Sequence, residues 1–77
     1  MKIEKQGHFI VLNTQKKGEY CHYINARNID LISVAKKEDV YDVRVWYGPD
    51  YLFFNGVACQ SVGKLINMVE TIQGEQS

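Results

Sequence analysis

Four residues of this 77-residue chain carry side chains that bind metals or act as nucleophiles: His8, Cys21, His22 and Cys59. These residue types occur in structural zinc sites. Their spacing does not favour one, because Cys21 and His22 are neighbours in a predicted strand, where successive side chains point to opposite faces. Cys59 lies near a predicted helix start. It could act as a nucleophile only with a histidine within hydrogen-bond distance, and the sequence places none beside it. The sequence instead predicts two small buried thiols, with no metal site and no cofactor.

No other catalytic set is visible. The carboxylates lie in predicted turns, on a strand or on a polar helix face, and no two are paired by their spacing. The six glycines are scattered and do not form a phosphate-binding loop. The sequence therefore predicts a protein that is not an enzyme.

Composition indicates a small folded domain. The chain is 45 % hydrophobic and 23 % charged, and its nine basic and nine acidic residues give a formal net charge of zero, so no global field attracts nucleic acid or an anionic membrane. We expect one domain over residues 1–77, with a frayed tail over 73–77. The N-terminus has no signal-peptide pattern and no apolar run is long enough to span a bilayer, so the expected location is cytoplasmic, without membrane contact and with reduced cysteines.

The strongest pattern is the stretch from Val40 to Phe54, V-Y-D-V-R-V-W-Y-G-P-D-Y-L-F-F. Apolar and polar side chains alternate over Val40–Tyr47, as in a half-buried strand. Gly48-Pro49-Asp50 then interrupts the run before Tyr51–Phe54 resumes it. This pattern predicts an antiparallel hairpin.

The preceding residues predict three further strands. The first covers His8–Asn13, the second Glu19–Ile24 and the third Ile29–Ala35, with turns at 14–18, 25–28 and 36–39. Asn55-Gly56 is a further turn signal, and residues 57–60 either extend the last strand or form a loop. Short connections of this kind favour antiparallel pairing.

The period changes at Ser61. Val62, Leu65, Ile66, Val69 and Ile72 lie on one stripe of an amphipathic helix. Ser61 suits the N-cap of this helix, and Gly74 suits the residue after its C-terminus.

These elements predict an α+β fold, a small antiparallel β-meander of about five strands with one C-terminal amphipathic helix packed on one face. The expected core residues come from the three predicted strands, the hairpin and the helix: Ile10, Leu12, Ile24, Ile32, Val34, Val43, Val45, Leu65, Ile66, Val69 and Ile72.

The order of elements resembles that of the small flagellar FlbD-type proteins, in which a strand, an asparagine-containing turn, further strands and a short helix follow one another. The similar residues are Ile24-Asn25-Ala26 through Ile29 and Ile32. The resemblance rests on hydrophobic spacing and implies the layout of the fold, without a function.

The most informative functional residues are aromatic. On the strand Val40–Tyr47 the set containing Val43 and Val45 claims the core side, so Trp46 shares the opposite face with Asp42 and Arg44. One helix cannot cover both faces of the sheet, and exposed aromatic faces usually mark interfaces. The predicted interface residues are therefore Trp46, Arg44, Asp42, Tyr51, Phe53 and Tyr23.

The sequence thus favours a small non-enzymatic protein-interaction module that acts through an aromatic sheet face or edge as a homodimer, with itself or a larger protein as partner. Regulators, adaptors and inhibitors, including those encoded by phages or prophages, are commonly this short. The alternative is RNA or single-stranded DNA binding, with bases stacked on Tyr20, Tyr23, Trp46 and Tyr51 beside Arg27, Arg44, Lys16 and Lys17. The neutral net charge and the absence of an RNP1-type pattern disfavour that alternative.

Overall fold

A computed structural model describes residues 2–13 and 21–75 of the chain. The predicted loop at 14–18, the first two residues of the predicted strand Glu19–Ile24, and the tail residues 76 and 77 lie outside the described residues. The elements in chain order are β1 (Lys2–Gln6), β2 (Phe9–Asn13), β3 (Cys21–Asn25), a 3₁₀ turn (Ala26–Asn28), β4 (Leu31–Lys37), β5 (Val40–Tyr47), β6 (Asp50–Val57) and α1 (Cys59–Gly74).

The α+β class is confirmed, but the strands form two antiparallel sheets instead of one meander. The N-terminal sheet has the order β1-β2-β3 and the C-terminal sheet has the order β4-β5-β6. Within the described residues, six strands replace the predicted five. Each sheet is a short meander in itself, and the predicted continuity fails between β3 and β4, which do not pair.

The strand β1 is the element that the sequence did not reveal. Its residues, K-I-E-K-Q, are mostly charged or polar, and only Ile3 of the five is buried. Ile3 lies opposite Leu12 in the register with β2. The hairpin loop is Gly7–His8, and Gly7 has φ +61, a conformation that glycine adopts without a Cβ clash.

The two sheets are joined at the predicted asparagine turn. Asn25 Oδ1 accepts a hydrogen bond from the backbone N–H of Arg27 at 3.0 Å, which caps the 3₁₀ turn. Gln73, near the end of α1, donates through Nε2 to the carbonyls of Ala26 at 3.0 Å and Ile29 at 2.9 Å. The helix end thus holds the junction between the sheets in place.

The C-terminal sheet contains the predicted β5–β6 hairpin. Tyr47 lies opposite Asp50, and Gly48 opens the turn with φ +63. Asn55-Gly56 is not a separate turn, because β6 continues to Val57. Between the pairs Tyr41↔Val57 and Val43↔Phe54, β5 advances by two residues and β6 by three, so β6 carries one extra residue, and Gly56 has φ +66. This irregularity is a β-bulge.

The helix α1 begins at Cys59, and its N-cap is Ala58, three residues before the predicted N-cap Ser61. Gly74 lies inside the helix, and Glu75 follows it in a right-handed conformation. The predicted apolar stripe is confirmed at Val62, Leu65, Val69 and Ile72, which are buried, while Ile66 is half-buried. No helix among the described residues is long and apolar enough to span a membrane.

One core lies between the two sheets and the helix. All but three of the predicted core residues are buried in it. The three exceptions are Ile32, Ile66 and Val34. Ile32 and Ile66 are partly buried and pack against the core. The prediction for Val34 was wrong, since 41 % of its surface is exposed. Helix α1 makes its main contacts with the 3₁₀ turn, β1 and β5, which leaves this part of β4 uncovered.

Candidate interaction surface

The candidate surface is the outer face of the C-terminal sheet. Val43 and Val45 point into the core and are at most 1 % exposed, so the alternation of β5 places Arg44 and Trp46 on the opposite side. The register sets Phe53 opposite Arg44 and Tyr51 opposite Trp46. On the other side of β5, Leu31 of β4 lies opposite Trp46. We call this set the aromatic face: Leu31, Arg44, Trp46, Tyr51 and Phe53.

Much of the aromatic face is open to solvent. Leu31 is 56 % exposed, Tyr51 46 % and Phe53 47 %. Trp46 is half-buried because its ring contacts the Tyr51 ring, with centroids 4.4 Å apart and planes tilted by 40°. The indole Nε1–H donates to Ser33 Oγ at 3.3 Å, which fixes the ring against the sheet.

Arg44 contributes a cation to this face. Its Cζ lies 4.9 Å from the Phe53 ring centroid and 5.8 Å from that of Tyr51. An arginine at this distance from aromatic rings gains roughly 0.5–1 kcal/mol at an exposed site. The guanidinium therefore lies beside two rings of the aromatic face.

Asp42 is not exposed beside Arg44 and Trp46, contrary to the prediction from the alternation along the strand. Only 11 % of its side chain is exposed, and Oδ2 forms an ion pair with Lys37 Nζ at 2.9 Å. Asp42 is the residue of β5 that lies opposite the bulge. This ion pair links β4 to β5 near the turn between them. We therefore do not include Asp42 in the aromatic face.

Tyr23 is not brought together with the other predicted interface residues. It lies on β3 in the N-terminal sheet, opposite Val11, and is 60 % exposed. Phe9, 42 % exposed, lies two residues before Val11 on the same face of β2. The outer face of the N-terminal sheet is therefore a second, separate aromatic surface. Tyr20, Lys16 and Lys17 of the nucleic-acid alternative lie outside the described residues.

Sequence reasoning missed Leu31 as a surface residue. The sequence assigned it to the third strand, but which residue of β5 it faces depends on the β4–β5 register. The pairing Lys37↔Val40 around the turn sets that register. If the predicted turn at 36–39 had been shortened to Glu38–Asp39, the sequence would have predicted this register.

The four potential metal ligands do not converge. His8 lies in the β1–β2 turn, where its Nε2 is 2.9 Å from Arg27 Nη2. Cys21 and His22 lie on β3, and Cys59 begins α1. Across residues 2–13 and 21–75, no three His, Cys, Asp or Glu side chains form a metal-binding group. Both cysteines are exposed free thiols, so the interpretation of them as buried was wrong.

Comparison with known proteins adds no assignment. No family model, no curated protein and no solved structure matches the chain. The likeness to FlbD-type proteins accordingly remains one of hydrophobic spacing.

Proposed function

We propose that this protein is a non-enzymatic protein-interaction module that pairs with a second copy of itself through the aromatic face. The observation that carries the proposal is the exposure of Leu31, Tyr51 and Phe53 beside Trp46 on a sheet face that the helix leaves uncovered. Contiguous apolar groups of this kind are uncommon on monomers and mark interaction sites.

A second copy suits this face in charge and in symmetry. The formal net charge is zero, so two copies do not repel each other at long range. A two-fold arrangement repeats the same patch on both sides of the contact. Arg44 is offset from Trp46 along β5, so each guanidinium can lie over an aromatic ring of the other copy.

The test is the mass of the protein in solution, measured by sedimentation velocity across a concentration series. Phe53→Ser removes an exposed ring from the aromatic face without touching the core, and we expect it to shift the protein to monomer at concentrations where the unchanged protein is dimeric. Phe9→Ser is the matched control, because Phe9 has similar exposure on the other sheet and should leave the dimer intact.

Three outcomes contradict the proposal. They are sedimentation of the unchanged protein as a monomer at high micromolar concentration, a Phe53→Ser variant that remains dimeric, and a Phe9→Ser variant that dissociates as readily as Phe53→Ser. The last result would show that the contact is not specific to the aromatic face.

Single-stranded nucleic acid is the second candidate. It is favoured by the position of the Arg44 guanidinium beside the rings of Phe53 and Tyr51. In proteins that bind single strands, aromatic rings stack on the bases and positive charges contact the phosphate backbone. Binding of a mixed-sequence oligonucleotide would then weaken as salt rises. Affinity lost in both Phe53→Ser and Arg44→Gln would support this candidate, and no measurable binding at low salt would remove it.

A further inference from the structure

The groove beside β3 is separate from the aromatic face. It has a volume of about 390 Å³ and is lined by all five residues of β3, by Asn28, and on its far side by Tyr47 and Leu52. Successive strand residues point to opposite faces. A groove that touches five in succession therefore runs along the edge of the strand.

The edge of β3 that borders this groove has no strand partner among the described residues. β3 pairs with β2 alone and lies at the margin of the N-terminal sheet. Such an edge presents a row of backbone N–H and C=O groups to any extended chain that enters.

The hydrogen-bond pattern identifies which backbone groups face the groove. The Ala26 N–H donates to the His8 carbonyl at 2.9 Å, and this pair continues the β2–β3 register. Hydrogen-bonded and non-hydrogen-bonded pairs alternate along an antiparallel ladder. His22 and Ile24 therefore bond to β2, whereas Cys21, Tyr23 and Asn25 direct their N–H and C=O groups away from β2.

We propose that this groove binds an extended peptide segment of a partner protein, which adds to β3 as a further strand. The residues on the far side of the groove indicate which kind of partner fits. Tyr47 and Leu52 belong to the C-terminal sheet, and the His22 and Phe54 rings meet at 5.6 Å between the two sheets. The space beside β3 is thus closed on its other side, so it accommodates a single chain better than the edge of a second folded sheet.

The lining also defines the peptide. Side chains of an added strand alternate between the two sides of the sheet. Those on the inner side meet Ile24 and Leu52, which favour branched apolar residues. Among the described residues, none that lines the groove is a carboxylate, lysine or arginine, so charged residues at the inner positions would lose hydration without a partner from this lining. The expected ligand carries Val, Ile or Leu at every second position.

The experiment is selection from a displayed random-peptide library against the immobilised full-length protein, followed by amide hydrogen exchange with a selected peptide. We expect selected peptides with alternating apolar residues. In the unchanged protein, the Tyr23 amide should exchange about tenfold more slowly once peptide is bound, while the Ile24 amide, already bonded to β2, should change little. This alternation distinguishes strand addition from general stabilisation.

Two substitutions of Tyr23 distinguish the contribution of its backbone N–H to peptide binding from that of its side chain. Tyr23→Pro removes the N–H that faces the groove and leaves the β2–β3 bonds in place, so we expect it to weaken peptide binding by about tenfold or more. Tyr23→Ala keeps the N–H and should weaken binding less. The hydrogen-exchange pattern needs no substitution and decides the case if Tyr23→Pro does not fold.

Several results would overturn the inference. They are recovery of no binding peptide, equal protection of Tyr23 and Ile24, and protection of Tyr23 by self-association alone, which would assign the edge to a second copy. Protection by a mixed oligonucleotide in place of the peptide would also overturn it. A monomeric protein that still binds the peptide would refute the proposed dimer without affecting this site.

Discussion

At the residue scale, Glu38 has a strained backbone conformation. It is the one residue other than glycine in the described part of the chain with positive φ, at 57°. The two-residue turn Glu38–Asp39 joins β4 to β5, and turns of this length place glycine or asparagine at left-handed positions. The left-handed conformation costs other residues roughly 1–2 kcal/mol.

Glu38→Gly should therefore stabilise the protein. The gain in free energy of unfolding should be about 0.5–1 kcal/mol, because glycine avoids the Cβ clash but has more freedom in the unfolded chain. Thermal unfolding followed by circular dichroism measures it. Asp39→Gly is the control, since Asp39 has no positive φ, and it should be neutral or destabilising. A lower melting temperature for Glu38→Gly would contradict the assigned turn.

Glu75 gives a second prediction at this scale. Its Oε1 accepts a hydrogen bond from Lys5 Nζ at 2.9 Å, and this bond and the lysine charge lower the pKa of the Glu75 carboxyl. A lowered pKa means that the ionised form is favoured in the folded state. The contribution to stability is present above the unfolded-state pKa and is lost as pH falls through the lowered value.

Lys5→Met should return the pKa of Glu75 toward its ordinary value, which carboxyl titration by NMR measures. Lys2→Met is the matched control, because Lys2 pairs with Glu4 at 3.2 Å and not with Glu75. An unchanged Glu75 titration in Lys5→Met would show that the ion pair does not form in solution.

At the scale of elements, α1 joins both sheets to one core. Leu65 and Ile72 face that core and are 3 % and 0 % exposed. The last turn of the helix also satisfies the backbone of the 3₁₀ turn through Gln73. Helix packing and junction geometry therefore depend on the same element.

Leu65→Ala should destabilise the protein by about 2–5 kcal/mol, since truncation of a buried leucine leaves a cavity. That is a large share of the stability of so small a domain. Lys64→Ala, exposed on the opposite side of the helix, should have little effect. Chemical unfolding compares the two variants, and equal midpoints would show that α1 does not contribute to the core.

Gln73→Ala should cost about 1–3 kcal/mol, because the carbonyls of Ala26 and Ile29 lose their donor in a part-buried position. Asn67→Ala, on the exposed side of the same helix, is the control for helix propensity. If both variants unfold alike, the Gln73 bonds do not hold the junction. Amide exchange of the 3₁₀ turn should quicken in Gln73→Ala.

At the scale of the whole molecule, association should depend little on salt. The chain has zero formal net charge, and in the proposed dimer each copy would contribute the rings and one guanidinium of its aromatic face. Raising the salt from about 50 mM to about 500 mM should change the dimer dissociation constant by less than about tenfold, because screening acts mainly on exposed charges. Sedimentation at both concentrations measures it. Dissociation at high salt would indicate a contact made by charges.

The sequence alone determined the elements whose hydrophobic period was long and regular. The β5–β6 hairpin and the stripe containing Leu65 and Val69 follow from alternation and from helical spacing, which are local properties. The same alternation placed Trp46 and Arg44 on the face away from the core. The capping asparagine of the central turn was also readable, since its hydrogen bond closes within two residues.

Only the tertiary structure decided how these elements combine. β1 is a strand because Ile3 fits beside Leu12, although its own residues are mostly polar. The single predicted meander divides into two sheets because the 3₁₀ turn, held by Gln73, separates β3 from β4. Burial of Asp42 and exposure of Val34 depend on the bulge and on where α1 lies. Strand pairing and the covering of a sheet by the helix bring together residues that are distant in sequence. Local patterns in the sequence therefore do not predict them.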